Sequence, residues 1–325
     1  MKNQMTHFDI IGDIHGHAAH LRELLTKLGY DLRDGAHRHP DGRRVLFLGD
    51  FIDRGPEIPA TLELVRAMHA ADTALAVPGN HEFNALAYAM PDGRGGFMRK
   101  HNANNVEQHA ETLAQFAGRE DEWLDHLAWF RTLPLWLELP GLRAVHAAWC
   151  FKATAMLGEA ARMDDTLVQA ASTRGTPEFR AVETLIKGVE LPLPDGQFFH
   201  DQKRIPRHSI RTRWWKTAHG ATFRNLALQP EADIFELPEL PTDAHAQTVP
   251  GYAEDERPVF NGHYWLTGDA ELMAPNVAIL DYSVAAGGPL TAYRWDGEQR
   301  LDAGKFVQAH EDARNFITLP RMALR

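Results

Sequence analysis

Val45-Leu46-Phe47-Leu48-Gly49-Asp50-Phe51-Ile52-Asp53-Arg54-Gly55 is the stretch on which the reading of this chain turns. A short, unbroken apolar run closed by glycine reads as a strand buried on both faces. The residues after it are of another kind: two aspartates, an arginine, and a glycine to close a tight turn. The same order of parts recurs on either side. Phe8 to Ile11 runs into Gly12-Asp13-Ile14-His15-Gly16, and Ala74 to Val77 runs into Pro78-Gly79-Asn80-His81-Glu82. Further along, Leu142 to Val145 runs into His146, Pro258 to Phe260 into Asn261-Gly262-His263, and Val277 to Leu280 into Asp281.

Helical spacings fill the intervals. Leu21, Leu24, Leu25 and Leu28 form one apolar stripe, with Gly29 as its C-cap. Leu62, Val65 and Met68 form a second; Leu113, Phe116, Trp123, Leu127 and Phe130 lie in a longer helical stretch interrupted near Gly118. These aromatics are read as core rather than as a cofactor box. Strands alternating with helices predict an α/β fold, and ligands in such folds sit beyond the carboxyl ends of the strands. The polar residues above all fall there.

Composition narrows the classes. Lys plus Arg number 34 against 44 Asp plus Glu, a net charge of −10, which disfavours non-specific binding to nucleic acid or to anionic membrane. No stretch approaches the roughly 20 apolar residues of a membrane span, and the polar start of the chain shows no signal peptide. The one cysteine, Cys150, fits a reducing cytoplasm. Residues 151 to 200 read as helical, with Met156, Leu157, Ala160 and Met163 at suitable spacing. His200 to Lys216 then carries six Lys or Arg and one Asp, and Glu231 to Glu256 eight acids with no Lys or Arg. Residues 155 to 257 are therefore expected to be a surface excursion inserted into one domain that spans 6 to 310.

Each polar piece has a chemistry. In an extended segment Asp13 and His15 face one side, so a carboxylate and an imidazole can reach one metal ion. Asp50 and Asp53 follow the second strand. Asn80 is a serviceable oxygen ligand, and His81 beside it can ligate or move protons. His146 and His263 add imidazoles at two more strand ends. Singly, each residue reads as a turn or helix cap. Five such pieces at five strand ends do not.

GDIHG (12–16), GDFIDRG (49–55) and GNHE (79–82) resemble the three signature motifs of the calcineurin-like metallophosphoesterases. The Asp-Arg-Gly ending points to the phosphoprotein-phosphatase branch, which holds Ser/Thr protein phosphatases and bacterial diadenosine tetraphosphatases. The downstream matches are looser. Val145-His146-Ala147-Ala148 stands for a Val-His-Gly or Val-His-Ala segment, and Asn261-Gly262-His263-Tyr264 stands where Gly-His-Thr is usual. Asp281 and Gly287 to Arg294 resemble the closing strands. The resemblance covers roughly residues 8 to 150 and 258 to 295, and leaves the excursion unmatched.

The resemblance implies a four-layer α/β/β/α sandwich with a two-metal site at the carboxyl ends of its strands. Asp13 and His15 would hold one divalent ion, Asp50 would bridge, and Asn80, His146 and His263 would hold the other. Mn²⁺ is the expected metal, with Fe, Zn²⁺ or Ni²⁺ as alternatives. It implies in-line attack of a metal-bridging hydroxide on a phosphate ester, His81 as general acid oriented by Asp53, and Arg54 as phosphate fork. A second phosphate-binding arginine is expected at Arg211 or Arg213, ahead of Arg207. Lys100, His101 and Asn105 are read as loop packing, and Trp214 and Trp215 as core.

Other phosphatase chemistries lack their parts. Met156 stands where a Cys-x5-Arg motif would need arginine, there is no Asp-x-Asp pair, and none of Ser172, Ser209 and Ser283 lies in Gly-x-Ser-x-Gly. The expected activity is thus a cytoplasmic, metal-dependent phosphoesterase, of phosphomonoester or phosphoprotein (Ser/Thr) type. Its alternative is a dinucleoside tetraphosphate, nucleotide or RNA 5′-end pyrophosphohydrolase. The expected partner is a phosphorylated protein or nucleotide, and no oligomeric state is implied. An inactive metal-binding scaffold is the rival from another class, and it would require a broken ligand set.

Overall fold

The computed structural model describes residues 7–158, 161–194, 196–200, 204–228 and 237–310. Ala160, Lys203 and the start of the acidic stretch (231–236) lie outside the described residues.

Two sheets form the centre. One has five strands in the order Phe306–Ala309, Leu290–Trp295, Phe8–Ile11, Arg44–Phe47 and Ala74–Ala76. The other has four, in the order Val277–Ile279, Val259–Asn261, Leu142–Val145 and Trp136–Leu139. Residues alternate across a strand, and the alternation sorts the core. Phe8, Ile10, Leu46, Leu48, Leu142, Ala144, Phe260, Ala278, Leu280, Tyr293 and Trp295 pack together in one cluster between the sheets. Their neighbours on the opposite faces, Ile11, Val45, Phe47, Val145, Val259 and Ile279, join a second cluster with the helices. Helices Ala18–Lys27 and Ile58–Ala70 contribute Leu21, Leu24, Leu25, Leu62, Val65 and Met68 to it, and helix Pro177–Lys187 contributes Val182, Leu185 and Ile186. The result is an α/β/β/α sandwich. The one charge inside the first strand, fully buried Asp9, is held by Arg43, Arg294 and the Tyr30 hydroxyl.

The stretch from 151 to 200 departs from the single helical expectation. It forms helices Phe151–Leu157, Asp165–Ala171 and Pro177–Lys187, then short strands at Glu190–Pro192 and Phe199–His200. Met163 is fully buried, but Met156 is 42% exposed, because the first helix ends at Gly158 and its stripe does not continue. The helices from 165 to 187 belong to the main core. Val189, Leu191, Phe199, Ile210, Phe223, Leu226, Leu237 and Val249 instead form a small core of their own. Trp214 and Trp215 are buried in the main cluster. Among the described residues no helix is long and apolar enough to cross a membrane.

Candidate metal centre and its flanking groups

The six strands that carry the polar motifs are the parallel members of their sheets. Parallel pairing brings their carboxyl ends to one edge. The two sheets are tied there, since His146 Nδ1 lies 2.7 Å from the Leu48 carbonyl; within the four-stranded sheet the Gly262 N–H donates to the His146 carbonyl at 2.8 Å.

The connecting turns are strained. His15, Asp50, Asp53, Arg54 and His263 have φ of +45, +51, +65, +71 and +75°, each costing a non-glycine residue about 1–3 kcal/mol. Such conformations persist only where their surroundings over-determine them. Glu82, fully buried, accepts from the backbone N–H groups of Asp50 (2.9 Å), Phe51 (2.8 Å) and Gly79 (2.7 Å) and so fastens two turns together. Burial, and then the Asp50 charge, push the Glu82 carboxyl up to about 7.

The imidazoles are oriented through their far nitrogens. His15 Nδ1 lies 2.9 Å from the Ile52 carbonyl and His146 Nδ1 faces that of Leu48, so each carbonyl fixes the proton on Nδ1. Their Nε2 atoms are left 3.6 and 3.5 Å from Asp50 Oδ2. The His15 Nε2 atom is buried without a hydrogen-bond partner. Asn80 Oδ1 sits 3.2 Å from His146 Nε2 and 2.8 Å from His263 Nδ1.

Among the described residues two groups of donors could each hold an ion: His15, Asp50 and His81, and Asp50, His146 and His263, with donor atoms within 4.8 Å of one another. Asp50 is common to both. Asp13 falls in neither group; its carboxylate accepts from the His263 backbone N–H, with Oδ1 at 3.2 and Oδ2 at 3.1 Å. Two glycines make room for these oxygens. A Cβ on Gly262 would lie 1.9 Å from Asp13 Oδ1, and one on Gly79 would lie 2.1 Å from Asp50 Oδ1.

The donor chemistry and the charges fit divalent transition-metal ions. Imidazole, carboxylate and amide oxygen are their usual ligands, and the buried His15 Nε2 makes no hydrogen bond among the described residues. Asp13, Asp50 and Asp281 are each 2% exposed, and buried carboxylates need counter-charge. Burial, and then Asp281, hold the Asp13 carboxyl well above its ordinary range. Burial opposes ionisation of Asp50 too, but His146 and His81 outweigh it and hold that carboxyl well below.

A second network flanks the first. His81 Nδ1 lies 2.5 Å from Asp53 Oδ2. The other Asp53 oxygen accepts from Thr112 Oγ1 (2.5 Å) and faces His109 Nδ1 (2.7 Å), while the Asp53 N–H donates to Thr112 Oγ1 at 3.0 Å. Burial would raise Asp53; the bonds from His109 and His81 overcome it and hold the carboxyl well below the ordinary range. Burial would lower His81; the Asp50 and Asp53 charges outweigh it and raise the ring. With Nδ1 occupied, His81 presents Nε2 to Asp50 Oδ2 at 3.9 Å and to Arg54 Nη2 at 3.4 Å. The Arg54 guanidinium lies 4.0 Å over the Trp265 ring.

The remaining candidates separate. Arg211 ends the strand Ser209–Arg211, 4.0 Å from Glu190, and its charge reaches His263: burial first, then Arg211, lower that imidazole well below its usual value. Arg213 lies beyond that strand, exposed, and donates Nε to the Ala227 carbonyl at 3.1 Å, so the structure ties it to the excursion. Arg207 is on the outer pair of strands Pro206–Arg207 and Phe199–His200. His101 is stacked between Tyr88 and Phe97, with ring centroids 3.7 and 4.1 Å away, and Asn105 donates to the Lys100 carbonyl. That is loop packing. Sequence reasoning passed over His109 and Thr112, although two polar residues three apart on one face of helix Ala103–Gln115 were a usable sign. Trp265 gave none.

Residues 6–153 match the family model for calcineurin-like phosphoesterases. A bis(5′-nucleosyl)-tetraphosphatase PrpE (asymmetrical) from Halalkalibacterium halodurans is 41% identical over 115 residues, which are 34% of this chain and 47% of that protein. Its namesake from Oceanobacillus iheyensis is 44% identical over 141 residues, 43% of this chain and 54% of that protein. The chain thus spans about half the length of these relatives. Among solved structures, a protein serine/threonine phosphatase from Saccharomyces cerevisiae aligns with a TM-score of 0.47 at 15% identity, covering 94% of this chain and 79% of that one.

Proposed function

We propose that the chain, whose residues 6–153 match the family model for calcineurin-like phosphoesterases, is a metal-dependent phosphoesterase that hydrolyses a nucleotide phosphoanhydride of the dinucleoside tetraphosphate class. The observation that carries the reaction type is Asp50, common to two donor groups and flanked by the His81–Asp53 pair and Arg54. The substrate class is supported by the name that the two relatives matched over 34% and 43% of the chain share. A phosphomonoester, including phosphoserine or phosphothreonine in protein, is the second reading. It is favoured by the exposure of Arg54, which leaves the fork open to a bulky substrate.

Asp13, His15 and Asp50 would hold one divalent ion, and Asp50, Asn80, His146 and His263 the other, with Mn²⁺ ahead of Fe, Zn²⁺ and Ni²⁺. Such ions supply neutralisation of phosphoryl charge and an activated water. The chain does the rest. Arg54 grips the phosphate with two parallel N–H donors, a geometry lysine cannot reproduce. His81 Nε2, beside that fork, donates a proton to the departing oxygen. Asp53 keeps the other His81 nitrogen protonated and raises the ring's basicity, and Thr112 and His109 keep Asp53 in place. Arg211, near His263, is the better candidate for a second phosphate contact.

We place residues 6–310 in one domain, with substrate choice set by the excursion between about 155 and 257, whose separate core starts at Val189. A cytoplasmic setting is kept on the strength of the lone Cys150. The test is a panel of p-nitrophenyl phosphate, diadenosine tetraphosphate, a phosphopeptide and capped RNA with Mn²⁺-loaded protein. Highest kcat/KM on diadenosine tetraphosphate is expected; a phosphopeptide optimum selects the second reading. An Asp50→Asn variant should lose turnover on every substrate, and unchanged activity would sink the metal assignment.

A further inference from the structure

Arg54 is exposed, yet it is not loose. One face of its guanidinium lies 4.0 Å over the Trp265 ring, and Nη2 reaches His81 Nε2 at 3.4 Å. Four carboxylates attract it, Asp50 most, then Asp281, Asp13 and Asp53. Among the described residues it is nevertheless drawn into no ion pair with them.

Trp265 is placed at a cost. Its backbone is left-handed, at φ +56°, a conformation that a bulky side chain rarely adopts. It is held there from both sides. The Trp265 N–H donates to Asp281 Oδ2 at 2.7 Å, the Leu266 N–H donates to the Asp281 carbonyl at 2.9 Å, and Ser283 Oγ donates to the Leu266 carbonyl at 3.0 Å. Asp281 therefore spends its charge on fixing the turn after His263. Strain kept up by specific bonds at a site's edge points to a use for the strained residue. The ring is half-buried and carries the cation on its face, the geometry in which an aromatic quadrupole attracts a guanidinium.

We infer that Trp265 is a positioning residue: its ring holds the Arg54 fork clear of the carboxylates and aimed at the substrate phosphate. This rests on the phosphoesterase reading above. It explains why the turn after His263 carries a strained tryptophan, and it assigns Asp281 to that turn.

The test measures binding of inorganic phosphate to Mn²⁺-loaded protein by calorimetry, with KM and kcat for p-nitrophenyl phosphate alongside. Trp265→Leu keeps the apolar bulk and loses the π face; Trp265→Phe keeps a smaller one. With Trp265→Leu, phosphate affinity should fall and KM rise about five- to tenfold, or about 1–1.4 kcal/mol, with kcat within about threefold. Trp265→Phe should stay within about threefold of the parent. Added to Arg54→Ala, Trp265→Leu should cost less than about twofold more, because the group it positions is gone. Three results would each overturn the inference: Trp265→Leu binding phosphate as the parent does, Trp265→Phe as poor as Trp265→Leu, or an undiminished loss in the Arg54→Ala background. A parent that neither binds phosphate nor turns over with Mn²⁺ overturns the phosphoesterase reading itself, and this inference with it.

Discussion

Replacing Gly262 by alanine isolates a single contact. The added Cβ would meet Asp13 alone among its three nearest atoms, with Oδ1 at 1.9, Cγ at 3.0 and Oδ2 at 3.6 Å. Ordinary contact begins at 3.4 Å, so something must move by about 1.5 Å. The backbone is held by the Gly262 N–H bond to the His146 carbonyl, which leaves the Asp13 carboxylate to yield. Overpacking costs about 1–3 kcal/mol, and pulling Asp13 off the His263 N–H leaves that donor without its partner, at about 1–3 kcal/mol. The expected loss is about 4 kcal/mol. Gly262 has no positive φ, so backbone strain adds nothing. Read by urea unfolding of metal-free protein, the midpoint should drop by about 1 M or more. In an Asp13→Ala background the clash is absent. There Gly262→Ala should be neutral, or stabilising by up to about 1 kcal/mol through the entropy of the unfolded chain. Equal destabilisation in both backgrounds would refute the steric account and the close approach on which it rests.

Other outcomes can be checked as directly. Metal-stripped protein should rebind two equivalents of Mn²⁺ in calorimetry; Asp50→Asn should lose both, whereas His15→Ala and His263→Ala should each lose one, and independent loss at Asp50 would argue against a shared ligand. Asp53→Asn should lower kcat by about 10²- to 10⁴-fold with little change in KM, while Thr112→Val, which leaves the His81 contact in place, should cost less. His126, 2% exposed, is lowered by burial and then by Arg66 to about 4, below the unfolded value of about 6.5. Its neutral ring therefore contributes stability above pH 6.5 that is lost as pH falls toward 4, at most about 3 kcal/mol. In urea unfolding at both pH values, His126→Gln should lose less than the parent; a parallel loss would remove His126 from the account.

Much of the architecture was legible in the order of residues. The runs at 45–48 and 74–77, and that at 8–11 but for Asp9, are apolar on both faces, which only a strand covered on both sides tolerates, and each ends in the residues that proved to share one edge. The helical stripes were equally clear, and the break near Gly118 falls between helices Ala103–Gln115 and Glu120–Phe130, with Gly118 at φ +77°. The excursion was not legible. Its apolar residues are divided between the main core and a small separate one, and periodicity in a window cannot tell which surface a stripe will meet.

The division runs through the site as well. Residue types alone set which chemistries were possible, since the carboxylates, imidazoles, amide and arginine are written in the chain and lie at strand ends by local pattern. How they are used depends on the packing. That Asp50 serves two donor groups and that Asp13 leans on the His263 backbone come from turns held in left-handed conformations by distant partners. So does the placing of Trp265 beneath Arg54, 211 residues apart in the chain. Such contacts join side chains whose separation along the chain carries no period, and only the packing of one sheet on the other brings them within reach.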